Sequence, residues 1–190
     1  MTINKLATCL LLSGLSLPTY AEIDRAWLEL GMGTLGPSGK IKIANNNWGW
    51  SIGLTKYKDE IGGYLHSTEY YDSDTLESFE PKMHVVDISR TWGKAGRFGY
   101  IDLSTGLAFA NGVHSENCDK NREKEYSGFF SRTTEKLCDK QEGNKVGIPL
   151  SATAAFGKYG GLGLQANAFV SDGYIKGQVA LIISLGAFTK

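Results

Sequence analysis

Three carboxylates, Glu29, Asp87 and Asp102, each stand in a segment where every second residue is apolar or small, and each has the opposite parity to those neighbours. Glu29 alternates with Leu28, Leu30 and Met32, Asp87 with Val86 and Ile88, and Asp102 with Ile101 and Leu103. A period of two sends successive side chains to opposite faces of a strand. The carboxylates therefore share a face turned away from the apolar one, where they are either an acid–base cluster or the hydrogen-bonded filling of a polar interior. Gln165 and Asn167 stand in the same relation to Leu162, Leu164, Ala166 and Ala168. The expected interior polar cluster is thus Glu29, Asp87, Asp102, Gln165 and Asn167, with Ser89, Tyr100 and Gln178 as further partners and Lys176 among the few cations of matching parity. Structural filling is the preferred reading, because a narrow eight-stranded barrel packs its lumen with side chains.

Sulfur chemistry comes next. Cys118 and Cys138 lie twenty positions apart in one hydrophilic stretch, and further ligands at metal spacing are missing around them, so a disulfide is expected in preference to zinc. In the chain-entropy picture, closing a loop of that size contributes roughly 3 kcal/mol. An oxidising compartment is consistent with the first 21 residues. Lys5 precedes an apolar run from Leu6 to Leu17, and Thr19-Tyr20-Ala21 offers small residues before Glu22. That is the layout of a cleaved export signal over residues 1–21, and the run is too short for a membrane-spanning helix. Residues 22–190 then form a single domain, since no linker or low-complexity tract divides them.

The elements that must position these groups are strands. The pattern predicts eight, over residues 26–34, 41–56, 62–71, 83–92, 98–110, 146–156, 162–170 and 174–188. Connections after the second, fourth and sixth are short: Lys58-Asp59-Glu60-Ile61, Gly93-Lys94-Ala95-Gly96 and Gly157-Lys158-Tyr159-Gly160. Those after the third and fifth, 72–82 and 111–145, are long and polar, and the remaining two fall on the same side as the long ones. Short turns at one end and long loops at the other mark outer-membrane barrels. Charges avoid the apolar parity, as lipid requires; Arg90 is the exception, two residues from Trp92. Trp48, Trp50, Trp92 and Phe156 are placed for aromatic girdles. The expected fold class is all-β, an eight-stranded antiparallel up-and-down transmembrane β-barrel in the cell outer membrane. A soluble periplasmic β-barrel binding an apolar ligand is the competing architecture.

By signal, strand count and connection pattern the chain resembles small eight-stranded outer-membrane proteins. Some local strings also resemble the lipid A palmitoyltransferase family: Trp48-Gly49, Tyr71-Asp72-Ser73, Ile148-Pro149-Leu150, and Gly157-Lys158-Tyr159-Gly160 before Leu164-Gln165. That resemblance implies acyl transfer at the external rim by an Asp-Ser pair, matched by Asp72 and Ser73, with a histidine as base. The family's histidine near the start of the barrel has no counterpart; His66 is the candidate in its place, and the family's N-terminal amphipathic helix is absent. Without an adjacent base a serine hydroxyl is a poor nucleophile, and Asp72-Ser73-Asp74 also reads as a turn-forming loop tip.

The expected function is therefore a structural or surface-interaction role in the outer membrane, with an outer-leaflet lipid-modifying acyltransferase or hydrolase as the alternative. Partners expected are outer-membrane lipid and an extracellular partner held by the long external loop 111–145, in which Phe129-Phe130 lies. With 20 basic and 20 acidic residues there is no electrostatic case for nucleic acid. A monomer without cofactor is expected.

Overall fold

The computed structural model describes residues 25–45, 48–58, 66–119, 123–127, 132–157, 159–172 and 174–187, so the expected signal segment 1–21 lies outside the described residues. The strands are β1 Arg25–Gly33, β2 Pro37–Ala44, β3 Trp48–Lys58, β4 His66–Asp72, β5 Ser78–Phe79, β6 Lys82–Gly96, β7 Gly99–Glu116, β8 Lys124–Ser127, β9 Arg132–Gly157, β10 Gly160–Ser171 and β11 Tyr174–Ala187. Eight of them pair antiparallel in the order β1-β2-β3-β6-β7-β9-β10-β11, and β11 returns to β1. The expected all-β, eight-stranded antiparallel barrel is what forms, and its closure leaves the wall no free edge.

The eight strands are not the eight that the pattern suggests. Segment 41–56 belongs to two strands, because the backbone turns after Ala44 and the Asn45 amide donates to the Trp48 carbonyl across the turn at 3.0 Å. Segment 62–71 contributes no strand to the wall; its described part, β4, pairs in parallel with β9 in a second sheet. The connection after β3 is therefore not a short turn at 58–61 but an excursion over 59–81, whose residues 59–65 lie outside the described set. Region 111–145, expected as loop, is mostly strand, since β7 runs on to Glu116 and β9 starts at Arg132. One barrel end, the terminal end, carries Arg25, Ala187 and the short connections after β2, β6 and β9. The other, the loop end, carries both excursions, the tight turn at 34–36 and the connection from β10 to β11.

Inward and outward faces alternate along every wall strand. In β2, Ser38, Lys40, Lys42 and Ala44 are buried while Ile41 and Ile43 are exposed. Outward positions elsewhere are held by Ile52, Leu54, Val86, Ile88, Leu103, Leu164 and Leu181, the last 71% exposed. Arg90 shares that outward parity and is enclosed by indoles, its guanidinium carbon 4.7 Å from the Trp48 ring centroid, 5.8 Å from Trp50 and 6.0 Å from Trp92. Its Nε and Nη1 are buried without a hydrogen-bond partner among the described residues, so the ring faces are what offset the charge there.

Two kinds of filling occupy the lumen. Toward the loop end it is apolar, with Leu35, Tyr57, Met83, Val85, Ala108, Ala110, Phe169 and Tyr174 packed together. Toward the terminal end it is a charged network on Lys42, which is fully buried. The Lys42 ammonium lies 2.8 Å from Glu29 Oε1, 2.8 and 2.9 Å from the two Asp102 oxygens and 3.2 Å from Thr153 Oγ1. Glu29 also accepts from Trp27 Nε1 at 3.0 Å, Tyr100 Oη at 2.5 Å and Gln165 Nε2 at 2.7 Å, and Asn167 donates to Gln165 at 2.7 Å. Four of the five expected interior residues thus form one chain of contacts. Asp87 stands apart, accepting from Ser89 at 2.7 Å and facing Lys40 at 3.9 Å. Gly53 makes room for that pair, since a Cβ there would meet Asp87 Oδ1 at 2.3 Å and Lys40 Cγ at 3.1 Å. Lys40 and Lys42, hidden by the misplaced strand boundary, are the cations that the interior carboxylates need.

Removing one partner from a buried ion pair strands the other charges in low dielectric. Lys42→Met is expected to cost about 3–5 kcal/mol. The triple variant Lys42→Met, Glu29→Gln, Asp102→Asn is expected to recover most of that loss. Urea titration in detergent micelles, followed by the shift between folded and unfolded gel mobility, measures both.

Candidate functional site

Beyond the wall, β9 carries a second sheet. Its last partner in β10 is Val170, opposite Ile148; further out, residues 132–138 pair in parallel with β4, from His66↔Arg132 to Asp72↔Cys138. β5 adds to β4 through Tyr70↔Phe79 and Tyr71↔Ser78, and β8 adds to the opposite side of β9 from Lys124↔Glu135 to Ser127↔Arg132. The order β5-β4-β9-β8 makes a raised sheet standing on the loop end.

Its foot is fastened covalently and by hydrogen bonds. Cys118 and Cys138 form the expected disulfide, and Cys138 is fully buried. Just before it, Asn117 takes a φ of 48°, a left-handed conformation that asparagine tolerates, and donates through Nδ2 to Asp139 Oδ2 at 3.0 Å. The Ser73 hydroxyl donates to the other Asp139 oxygen, and the Ser73 amide donates to the Cys138 carbonyl at 2.9 Å. Asp72 accepts from Thr75 Oγ1 at 3.0 Å and from the Lys140 amide at 3.4 Å, while its carbonyl accepts from the Leu76 amide at 2.9 Å. Asp72 therefore closes the β4–β5 turn, and Ser73 clips that turn to β9.

Asp72 and Ser73 are thus brought together with Asp139. His66 is not with them: it begins β4, six residues before Asp72, about 20 Å at the rise of a strand. The side chain of His66 lies outside the described set. Asp139 is itself a weak base. The Ser73 hydroxyl and the Asn117 amide hold its carboxyl below the usual range, outweighing a small opposing effect of burial. For Asp72 burial pushes upward, but hydrogen bonds from Thr75 and the Lys140 and Asp74 amides prevail and its carboxyl also ionises low.

One face of the raised sheet forms an open groove of about 640 Å³, lined by Tyr71, Leu76, Glu123, Lys124, Glu135, Lys136 and Leu137. That volume falls within the range of small-ligand and short-peptide sites. Glu135, in the lining, is the register partner of Glu69 on β4. Tyr71 donates to Glu69 at 3.0 Å and Tyr126 to Glu135 at 3.4 Å. The Tyr71 phenol is pushed up, first by its hydrogen bond to Glu69 and then by the surrounding negative charge. Glu123 and Lys136 pair at 3.1 Å on the wall. Leu76 is 67% exposed and has a φ of 58°, unusual for a side chain of its size. Sequence reasoning missed this groove because its halves, 69–76 and 123–137, meet only through the parallel β4–β9 pairing. Phe129-Phe130 lies outside the described residues.

A closed eight-stranded barrel, apolar outside, ion-paired inside and crowned by an external sheet, is the class that this geometry defines. The Yersinia pestis attachment invasion locus protein Ail, in its crystal structure with the heparin analogue sucrose octasulfate, shares the fold with a TM-score of 0.50 at 11% identity, over 86% of this chain and 98% of that one. A further crystal structure of Ail gives 0.46 at 9% identity over 88% and 100%. Its backbone structure in a phospholipid bilayer nanodisc gives 0.46 at 12% over 85% and 98%. At these identities the likeness is one of fold. No protein-family model and no curated protein matches the chain.

Because Asp72 and Asp139 ionise below their ordinary value of 3.8, the hydrogen bonds that they accept stabilise the foot fully above that pH and are lost as pH falls through the lowered values. NMR shifts of the Asn117 side-chain amide, bonded to Asp139, and of the Lys140 backbone amide, bonded to Asp72, are expected to report this loss on acidification in micelles. Asp139→Asn should remove the transition at the Asn117 side chain and leave that at Lys140.

Proposed function

We propose that this chain is an integral outer-membrane protein whose barrel holds the raised sheet outside the cell as a contact surface. The observation that carries the reading is the inversion of the two faces: leucines, isoleucines and valines outside, buried lysines and carboxylates inside. In water so continuous an apolar surface would drive aggregation, whereas in hydrocarbon it is what a barrel wall needs. The dimensions agree. Val146 and Phe156 are ten residues apart in β9 with only uncharged outward residues between them, about 33 Å of strand, or about 25 Å along the barrel axis at a tilt near 40°. That is the height of an outer-membrane apolar band. Residues 1–21, read as an export signal, fit the same destination.

One Ail crystal structure is a complex with the heparin analogue sucrose octasulfate. Residues 59–81 here hold seven acidic residues and no lysine or arginine, and Glu69 and Glu135 adjoin across β4 and β9, so the partner that this segment favours is basic rather than polyanionic. The acyltransferase alternative is disfavoured by the commitment of the Ser73 hydroxyl to Asp139 and by the side chains that fill the loop-end lumen. A soluble carrier of apolar ligands is disfavoured by the same filling; the cavity at the terminal mouth, bordered by Trp27 and Tyr100, measures about 10 Å³, room for roughly one water.

Two experiments test the reading. The exported protein is expected to stay with membranes through an alkaline carbonate wash, and Leu164→Arg to cost about 2–4 kcal/mol in vesicles; release by carbonate, or a cost within about 0.5 kcal/mol as on a solvated surface, overturns the membrane assignment. For the contact surface, cells displaying Glu69→Gln, Glu135→Gln are expected to bind an immobilised lysine-rich protein several-fold less well than wild type at equal surface amount. Equal binding overturns that part.

A further inference from the structure

The outward face of β3 and β6 changes character near the loop end. Ile52 and Leu54 on β3, beside Ile88 and Val86 on β6, are apolar and exposed. The next outward positions on the same strands are Lys56 opposite His84, and then Lys58 opposite Lys82. Like charges directly across a strand pair destabilise it. Lys56 feels Lys82 and Lys58 as repulsive neighbours and Glu80 as an attractive one. Glu80, paired with Lys58 at 2.7 Å, is the carboxylate in contact. Its carboxyl is held below the ordinary range, first by that bond and further by Lys82 and Lys56. Among the described residues, one carboxylate faces three lysines across β3 and β6.

Its position is specific. Along the register, Lys56 and His84 continue to Asn111 on β7 and Asn144 on β9, and Lys58 and Lys82 continue to Val113 and then Glu142, so no cation stands outward at these two levels on β7 or β9. From Leu54 to Lys58 is about 13 Å of strand, so the ammonium groups stand immediately above the apolar band, at the level of lipid headgroups.

We propose that Lys56, Lys58 and Lys82, with His84 beside them, form a binding site on the barrel wall for a phosphate-bearing lipid headgroup of the leaflet at the loop end. The acyl chains of that lipid would lie along Ile52, Leu54, Val86 and Ile88 while its phosphate neutralises the lysines. The site rests on the membrane reading above, and it explains why like charges face one another across β3 and β6.

The test uses the full-length processed protein in phosphatidylcholine vesicles containing spin-labelled phosphatidic acid or spin-labelled phosphatidylcholine, with motionally restricted lipid read by electron paramagnetic resonance. Wild type is expected to prefer phosphatidic acid by roughly fivefold, about the attraction of one lysine to an anionic lipid surface, and to lose part of that preference in high salt. Lys56→Gln, Lys58→Gln, Lys82→Gln is expected to show no preference, and the corresponding three arginine substitutions to keep it. Lys124→Gln, Lys136→Gln on the raised sheet, which also lowers positive charge, should leave it unchanged. Inorganic phosphate at millimolar concentration is expected not to displace the lipid; displacement would show that free phosphate is the ligand and overturn the lipid assignment. Equal selectivity in wild type and the triple glutamine variant, both inserted as shown by gel mobility, overturns the site while leaving the membrane reading intact. Failure of wild type itself to insert overturns both.

Discussion

A fully buried ammonium group sets the terms for the rest of this barrel. Lys42 has no access to water, and an unpaired charge in such a place is prohibitively unfavourable. Glu29 and Asp102 must therefore approach from β1 and β7, strands on different parts of the wall, and each carboxylate must be supplied with further donors. Trp27, Tyr100 and Gln165 supply Glu29. The result fixes register as well as charge. A slip of one residue in any contributing strand would turn its member of the network outward into the apolar surroundings and bring an apolar residue in. Ion pairs of this kind add little net stability compared with apolar packing; what this one supplies is a single arrangement of the wall.

A rigid wall makes the raised sheet possible. β9 runs without interruption from Arg132 to Gly157, so one strand belongs to both structures. β4 and β8 depend on it for their pairing. The disulfide and the hydrogen bonds around Asp139 lie where the strand leaves the wall, the place at which a long unsupported hairpin would bend. Tyr71, Tyr126 and Glu135 are thereby held at a fixed height above the barrel, as side chains on a rigid scaffold are.

Much of this was legible in the amino-acid order. Alternation in β1, β6, β7, β9, β10 and β11 is long and in constant phase, which is why Glu29, Asp87, Asp102, Gln165 and Asn167 could be assigned to the interior. The paired cysteines were equally readable. β2 and β3 were not separated, although a signal was present: apolar residues occupy odd positions at Ile41 and Ile43 and even positions at Trp48, Trp50, Ile52 and Leu54, with Asn45-Asn46-Asn47 at the change. A single strand cannot change phase without a bulge, so the asparagines mark a turn. Losing that turn hid Lys40 and Lys42 and left the carboxylates without cations. The raised sheet was illegible for another reason. Parallel pairing of His66–Asp72 with Arg132–Cys138 joins segments some 66 residues apart, and nothing local announces such a partner. In isolation the alternation over 66–72 looks like that of any wall strand.

The two fillings of the lumen have a joint consequence. The apolar half excludes ions by desolvation, and in the other half Lys42 and its carboxylates occupy the axis with fixed charge, so neither solute nor current has a route through. If the barrel sits in the outer membrane as proposed, many copies could be inserted without compromising the permeability barrier, and the density of raised sheets would be limited by crowding, not by leakage.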